Sequence, residues 1–468
     1  MMAKKRNTAR RKLALINVVA FATVLMLGGV LFFILPKQSV SEFEKRRLSP
    51  VPQFSWKELL HGKYIDSLEL YVSDNFPMRE QLVEISFRMK ESRGIKNKEI
   101  TFYAATDIRK PKKKVENVKP DTKDSAKQDS VIIEGEGEEV NNLFIFEGAA
   151  MEIFGGNNKM AQSYAAAINK YQQELQGKVN VYAVMIPSSI EFNAPSEYRK
   201  MSVSQRNNIQ TAYNSMLPGV RKVDAYGSIA EHQREYCYYR TDHHWTGRGA
   251  YYAYTAFCNS AGFTPVPLTN MERKTKTNFL GSLYWLTRDS RLKERADTVE
   301  YFKIPGKYTA TVFPKGSKKG MRGTIYYETK GTYGNYGVFL GGDWPLMKIE
   351  RDAAEPKTGR NAILVKNSYG NPFATYLPSH FDKVFVIDYR YYEGSLLELI
   401  ATEGVTDLIF INGVFSANTS WHINMMTKVM KGTGPRKSND SDSKKRQVRD
   451  SALGPVRKDS AGIPEKKG

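Results

Sequence analysis

The chain has 468 residues, with 70 Lys+Arg against 49 Asp+Glu and a formal net charge of +21. Hydrophobic residues make up 41% and aromatics 12%, which excludes a wholly disordered chain. Two cysteines, Cys237 and Cys258, exclude a disulfide scaffold and a cysteine-based zinc module.

Leu13 to Leu35 is a run of 23 residues without a charged side chain. At ~1.5 Å per helical residue it is long enough to cross a ~30 Å hydrocarbon core. Lys4, Lys5, Arg6, Arg10, Arg11 and Lys12 precede it. This predicts a basic cytoplasmic tail over 1–12 and an uncleaved signal-anchor over 13–35, with the rest of the chain outside the membrane. A cleaved signal peptide is the rival, but its apolar core is usually only ~7–15 residues. The six leading cations thus serve topology. The segment 431–468 carries 11 Lys+Arg and 5 Asp+Glu and few large apolar residues, and is expected to be a disordered tail. That leaves +9 for residues 13–430. Nucleic acid is not an expected partner for such a domain. An anionic cell-surface polymer is one, and lysine surplus for solubility is the other reading.

Residues 39–104 read as a membrane-proximal, mostly helical region broken at Asn75-Phe76-Pro77, and residues 105–139, rich in Lys, Glu, Asp and Ser, as a disordered insertion. Leu143 to Phe146 predicts a strand, and Lys159 to Leu175 a helix. Four apolar runs read as buried strands: Val179–Ile186, Ala362–Val365, Val384–Ile387 and Leu408–Ile411. Helical stretches at Pro372–Leu377 and Ser395–Ala401 separate the last three. The expected fold class is therefore α/β, a parallel sheet flanked by helices over 140–430, with an antiparallel elaboration near 300–342. Catalytic groups in such folds sit beyond the C-terminal ends of strands.

Two segments carry candidate chemistry. Tyr239-Arg240-Thr241-Asp242-His243-His244-Trp245-Thr246 holds two of the six histidines. If extended, it points Asp242 and His244 the same way and His243 the other. An aspartate beside a histidine fixes the tautomer needed of a base that activates a nucleophile. The same pair also occurs as a purely structural feature. No metal is expected, since no further histidine or acidic cluster supplies the remaining ligands. The second segment is Lys366-Asn367-Ser368-Tyr369-Gly370-Asn371-Pro372, placed between a strand and a helix. That context exposes the Ser368 hydroxyl, although a helix N-cap serine would look alike. Gly341, Gly342 and Asn371 are candidate oxyanion donors. Ser188 and Ser189 follow the strand ending at Ile186 and compete with Ser368 as nucleophile, because geometry and not chain order defines a triad.

The Asp-His-His-Trp element resembles the signature of the DHHW family of bacterial cell-surface proteins. So do Ser73–Arg79, Phe279–Tyr284, Gly341–Leu346, Asn367-Ser368-Tyr369 and Ile387–Arg390. That family is similar to the SGNH-like domains of alginate-type polysaccharide O-acetyltransferases. The resemblance implies an SGNH-hydrolase-like fold in which Asp242 and His244 serve the nucleophile Ser368, and Ser188 and Ser189 fall back to substrate-pocket or structural roles. The residue before the serine, commonly Asp in the family, is Asn367 here. The implied reaction passes an acetyl group through Ser368 to a hydroxyl of a surface polysaccharide, without a cofactor. Tyr369, Tyr389 and Arg390 are expected to line the cleft. A multi-pass membrane-bound O-acyltransferase is the implied acetyl donor. An acetylesterase with the same triad, or a non-catalytic glycan-binding or assembly protein, are the alternatives. Cys237 and Cys258 allow either a disulfide bracing the site or two buried thiols.

Overall fold

In the computed structural model of the chain, residues 2–37, 49–79, 142–317, 319–328 and 335–432 are described, with short pieces at 40–41, 46–47, 81–82, 85–86, 89 and 100–103. The expected insertion at 105–139 and the tail beyond 432 lie outside the described residues. Helix α1 runs over Met2–Ile34, and its Ala14–Ile34 stretch has the length and composition to cross a membrane. Two short helices follow, α2 (Trp56–Leu60) and α3 (Lys63–Asp74).

The chain then builds β1 (Ile100–Tyr103), β2 (Leu143–Phe146) and β3 (Ala149–Glu152), which pair antiparallel into a small sheet. Helix α4 (Asn158–Leu175) starts where the Asn157 side chain accepts the Met160 amide. The main sheet takes β4 (Asn180–Ile186) and β5 (Val220–Val223), separated by α5 (Gln205–Asn214). After α6 (Ala225–Glu231) and α7 (Gly247–Ala261) comes an antiparallel pair of its own, β6 (Glu272–Phe279) and β7 (Asp297–Lys303). The rest of the main sheet is β8 (Tyr308–Phe313), β9 (Met321–Gly323), β10 (Leu346–Arg351), β11 (Asn361–Lys366), β12 (Lys383–Asp388) and β13 (Asp407–Gly413). Helices α8 (Gly370–Ala374), α9 (Leu396–Glu403) and α10 (Ser420–Lys428) complete the domain.

The strand order is β9-β8-β10-β12-β11-β13-β4-β5. Neighbours from β12 to β5 are parallel. The β9, β8 and β10 strands extend that sheet antiparallel from the β12 edge. This is the expected SGNH-hydrolase-like α/β arrangement, with its antiparallel elaboration.

Period-two alternation divides the core. Tyr182, Val184 and Ile186 face one layer with Ala250, Tyr254 and Phe257 of α7, while Val181, Ala183 and Met185 face another with Tyr164, Ile168 and Tyr171 of α4. Both faces are buried, which is why these strands read as continuous apolar runs instead of alternating ones. The parallel strands therefore deliver Ser188, Ser368, Asp388 and Asn412 to one edge, the C-terminal edge of the sheet.

Candidate active site

Three groups converge at that edge. Ser368 follows β11 in the turn before α8, and its Oγ lies 2.8 Å from His244 Nε2. On the other side of the ring, His244 Nδ1 lies 2.6 Å from Asp242 Oδ1, which also accepts the His244 backbone amide at 3.0 Å. The carboxylate fixes the imidazole as the Nδ1–H tautomer, leaving the Nε2 lone pair to accept the Ser368 hydroxyl. Asp242, His244 and Ser368 are all buried. Burial alone would push the Asp242 carboxyl up, but the His244 and His243 imidazoles and the Ser282 amide hold it well below the usual carboxylate range. Asp242 is thus an anion poised to stabilise an imidazolium.

Residues 240–244 form a bend and not the expected extended segment, and the pairing of Asp242 with His244 arises from an i to i+2 turn. His243 therefore does not point away. Its ring lies 3.7 Å from that of His244, and its Nδ1 sits 2.5 Å from Ser282 Oγ.

The bend is held by Asp297, which no sequence signal marked, and by Gly281 and Ser282 of the Phe279–Tyr284 segment. Buried Asp297, at the start of β7, accepts the Arg240 amide at 2.9 Å, the Thr241 amide at 2.7 Å and the Thr241 hydroxyl at 2.6 Å. The Ser282 amide donates to Asp242 Oδ2 at 2.8 Å. Gly281 has to be glycine, since a Cβ there would meet the Asp242 Cβ at 2.2 Å. Tyr336, also unforeseen, stacks on the His244 ring (4.1 Å between centroids, 17° between planes) and donates its hydroxyl to the Ser368 carbonyl at 2.9 Å.

A second polar cluster adjoins the first. Lys366 is 1% exposed and donates to Asp343 at 2.8 Å and to Asp388 at 3.1 Å. Arg390 donates to Asp343 at 2.6 Å and to both Asp388 oxygens at 2.7 and 2.9 Å. Two cations thus balance two carboxylates. Burial works against the Asp343 anion, yet Lys366 and Arg390 hold its carboxyl far below the usual range. Arg390 is committed to this cluster and does not line an open cleft.

Asp343 also accepts the Asn371 amide at 3.0 Å, leaving Asn371 Oδ1 buried with no partner among the described residues. Leu340, Gly341 and Gly342 run in succession at φ 64°, 76° and 123°, with open space above Gly342. The Gly341 amide is donated to the Gly337 carbonyl, so it is not available as an oxyanion donor. Gly342 and Asn371 are brought towards each other by Asp343.

The other expected residues sit as follows. Tyr369 donates its hydroxyl to the His243 carbonyl, and its own carbonyl accepts Trp245 Nε1 at 2.8 Å. Tyr389 is fully buried in the opposite core layer, 2.9 Å from His422 Nδ1, and lines no cleft. Ser188 exchanges two hydrogen bonds with Gln205, at 2.7 and 2.8 Å, and Ser189 begins the turn Ile190–Asn193. Both follow β4, two strands from β11, or about 10 Å across the sheet. Cys237 and Cys258 are free and buried, and burial pushes both thiols up to about 12. Asp242, His243 and His244 also place one potential metal-ligand atom each within 4.8 Å of one another. Both Asp242 oxygens already face N–H donors.

The model of the DHHW protein family matches residues 44–101 and 84–387, so the chain belongs to that family. A DHHW family protein from Eubacterium siraeum is similar in structure, 28% identical, with a TM-score of 0.58 over 64% of this chain and 99% of that one. Bacillus cereus PatB1, solved with a sulfonyl adduct, is 17% identical, with a TM-score of 0.51 over 62% of this chain and all of that one. The likeness to PatB1 is one of fold. No curated protein matches the chain.

Proposed function

We propose that this chain is a membrane-anchored O-acetyltransferase whose catalytic domain faces the outside of the cell and acts on a surface or exported polysaccharide. The observation that carries this reading is the unbroken relay from Asp242 through both nitrogens of His244 to Ser368 Oγ, at 2.6 and 2.8 Å. In the first half-reaction Ser368 Oγ attacks the acetyl carbonyl of the donor while His244 Nε2 takes the hydroxyl proton. The donor's leaving group departs with that proton, and Ser368 carries the acetyl ester. In the second half-reaction His244 takes a proton from a sugar hydroxyl, which attacks the ester. Ser368 leaves as the alkoxide and recovers the proton. Gly342 and Asn371 are the oxyanion donors in this scheme. The Ala14–Ile34 span supplies the anchor, and the basic residues before it set the orientation. A multi-pass membrane O-acyltransferase supplies the acetyl group, because acetyl thioesters are cytoplasmic.

The test uses the full chain in detergent with p-nitrophenyl acetate, rapid quench and peptide mass mapping. The acetyl group is expected on Ser368, with turnover lost in Ser368→Ala and His244→Ala and largely kept in Ser189→Ala. A phenylmethyl sulfonyl fluoride is expected to modify the same serine. Acetyl on Ser189, or an active Ser368→Ala variant, sinks the assignment. Adding a polysaccharide acceptor then separates transfer to sugar from simple release of acetate.

A further inference from the structure

We propose that residues 54–78 form a lipid-facing platform at the membrane surface, with the turn Asn75-Phe76-Pro77 dipping below the headgroups. The inference rests on reading Ala14–Ile34 as a membrane span.

Depth is the first argument. The Phe76 ring lies against the helix at Gly28, where a Cβ would be 3.3 Å from it. The Tyr71 ring meets Phe32 edge-on at 5.9 Å. Gly28 lies six residues before Ile34, and at ~1.5 Å per residue that places Phe76 about 9 Å below the end of the apolar helix. Interfacial helices bury their apolar faces by about this much, 5–10 Å.

The apolar pattern agrees. On α3, Tyr64, Ile65, Leu68, Tyr71 and Val72 fall within an arc of about 120° at ~100° per residue. Lys63, Asp66 and Glu69 lie outside it. Tyr71, the residue touching the span, is part of that arc, so the face that meets the span is the face that meets its lipid. Trp56 and Leu60, one turn apart on α2, are 71% and 83% exposed. Phe54 packs edge-on to Trp56 at 5.2 Å and to Tyr64 at 5.3 Å, an aromatic group of the kind found at bilayer interfaces.

Polar groups at this level are satisfied internally, as an apolar surrounding requires. Buried Asp74 accepts the Ser49 amide and hydroxyl, each at 2.9 Å. Asn75 donates to the Ser49 and Tyr71 carbonyls at 3.2 and 3.0 Å. The Lys37 ammonium lies 3.5 Å from the Phe32 ring centroid and donates to the Phe32 and Asn75 carbonyls, a cation drawn down onto the apolar surface.

The experiment places a nitroxide on the full chain in phosphatidylcholine–phosphatidylglycerol vesicles, at Val72→Cys and Met78→Cys, both exposed sites that tolerate a label. Val24→Cys reports the span and Gln210→Cys the folded domain. The native cysteines are buried and remain thiols at neutral pH, so they stay unlabelled. Power saturation with oxygen and with a water-soluble nickel chelate reads the depth. The platform predicts loss of nickel relaxation at 72 and 78, with oxygen relaxation as at 24. Nickel relaxation at 72 and 78 matching 210, with 24 still lipid-like, overturns the platform and leaves the anchor standing. Nickel relaxation at 24 removes the anchor and the platform together. Shielding of 72 and 78 from both reagents overturns the lipid reading in favour of a protein-covered surface.

Discussion

Tyr336 is the residue whose geometry says most about how the relay is kept aligned. Its ring covers one face of His244, and its hydroxyl holds the carbonyl of the residue whose side chain faces that histidine. Both contacts constrain the approach of Ser368 Oγ to Nε2. Tyr336→Phe keeps the ring and removes only the hydroxyl. A buried hydrogen bond of this kind contributes about 1 kcal/mol, which converts to about a fivefold loss in kcat, with KM for the ester unchanged. The second-order rate of Ser368 with a sulfonyl fluoride should fall in parallel. A lower melting temperature with an unchanged sulfonylation rate would mean that Tyr336 supports the fold and not the nucleophile. No feature of Asn335-Tyr336-Gly337 marked it in the sequence. A tyrosine in a glycine-rich stretch has no periodicity to read, and the contact is made across 92 residues of chain, from Tyr336 back to His244. Asp242 and His244 were visible for the opposite reason: their contact is local.

At the scale of elements, legibility followed apolar runs. Strands β4, β11, β12 and β13 are buried on both faces and announced themselves as continuous apolar runs. Strand β5, Val-Arg-Lys-Val, buries only its ends, and β6, built largely from Arg, Lys and Thr, is itself mostly exposed, so neither offered such a run. The loop 340–344 was legible as a motif, but its work was not. It carries Asp343 into the buried cations Lys366 and Arg390 and onto Asn371, joining the loop to β11, β12 and α8. Asp343→Asn removes one anion and leaves two buried cations facing Asp388 alone. The cost is expected to be about 3 kcal/mol, the low end for a broken buried pair, because Asp343 itself is 24% exposed. Adding Lys366→Met restores the balance of charge and should recover much of that loss in chemical denaturation. A double variant no more stable than Asp343→Asn would show that the cluster is not held by charge balance.

The whole molecule has its long polar segment at a place where the fold can do without it. Tyr103 and Leu143 are register partners in the antiparallel pair β1–β2, so their Cα atoms lie about 5 Å apart although 39 residues separate them in sequence. Whatever residues 104–142 do, the folded domain asks only that their ends meet as a hairpin does. Replacing 105–139 by a short Asn-Gly turn should therefore leave the main sheet intact, since β1 to β3 form a separate sheet. Closing a loop of about six residues instead of 39 removes between about two and three doublings of length. At about 0.6 kcal/mol each, this stabilises the domain by up to about 2 kcal/mol. Chemical denaturation of the shortened and full chains measures the difference, and ester turnover tells whether the site notices. Ser368 follows β11 and His244 lies on the bend 240–244, neither of them in β1 or β2, so turnover by the shortened chain should match the parent. A destabilised shortened chain would mean that residues 105–139 pack on the domain, and a stable chain with lost turnover would assign them to substrate capture.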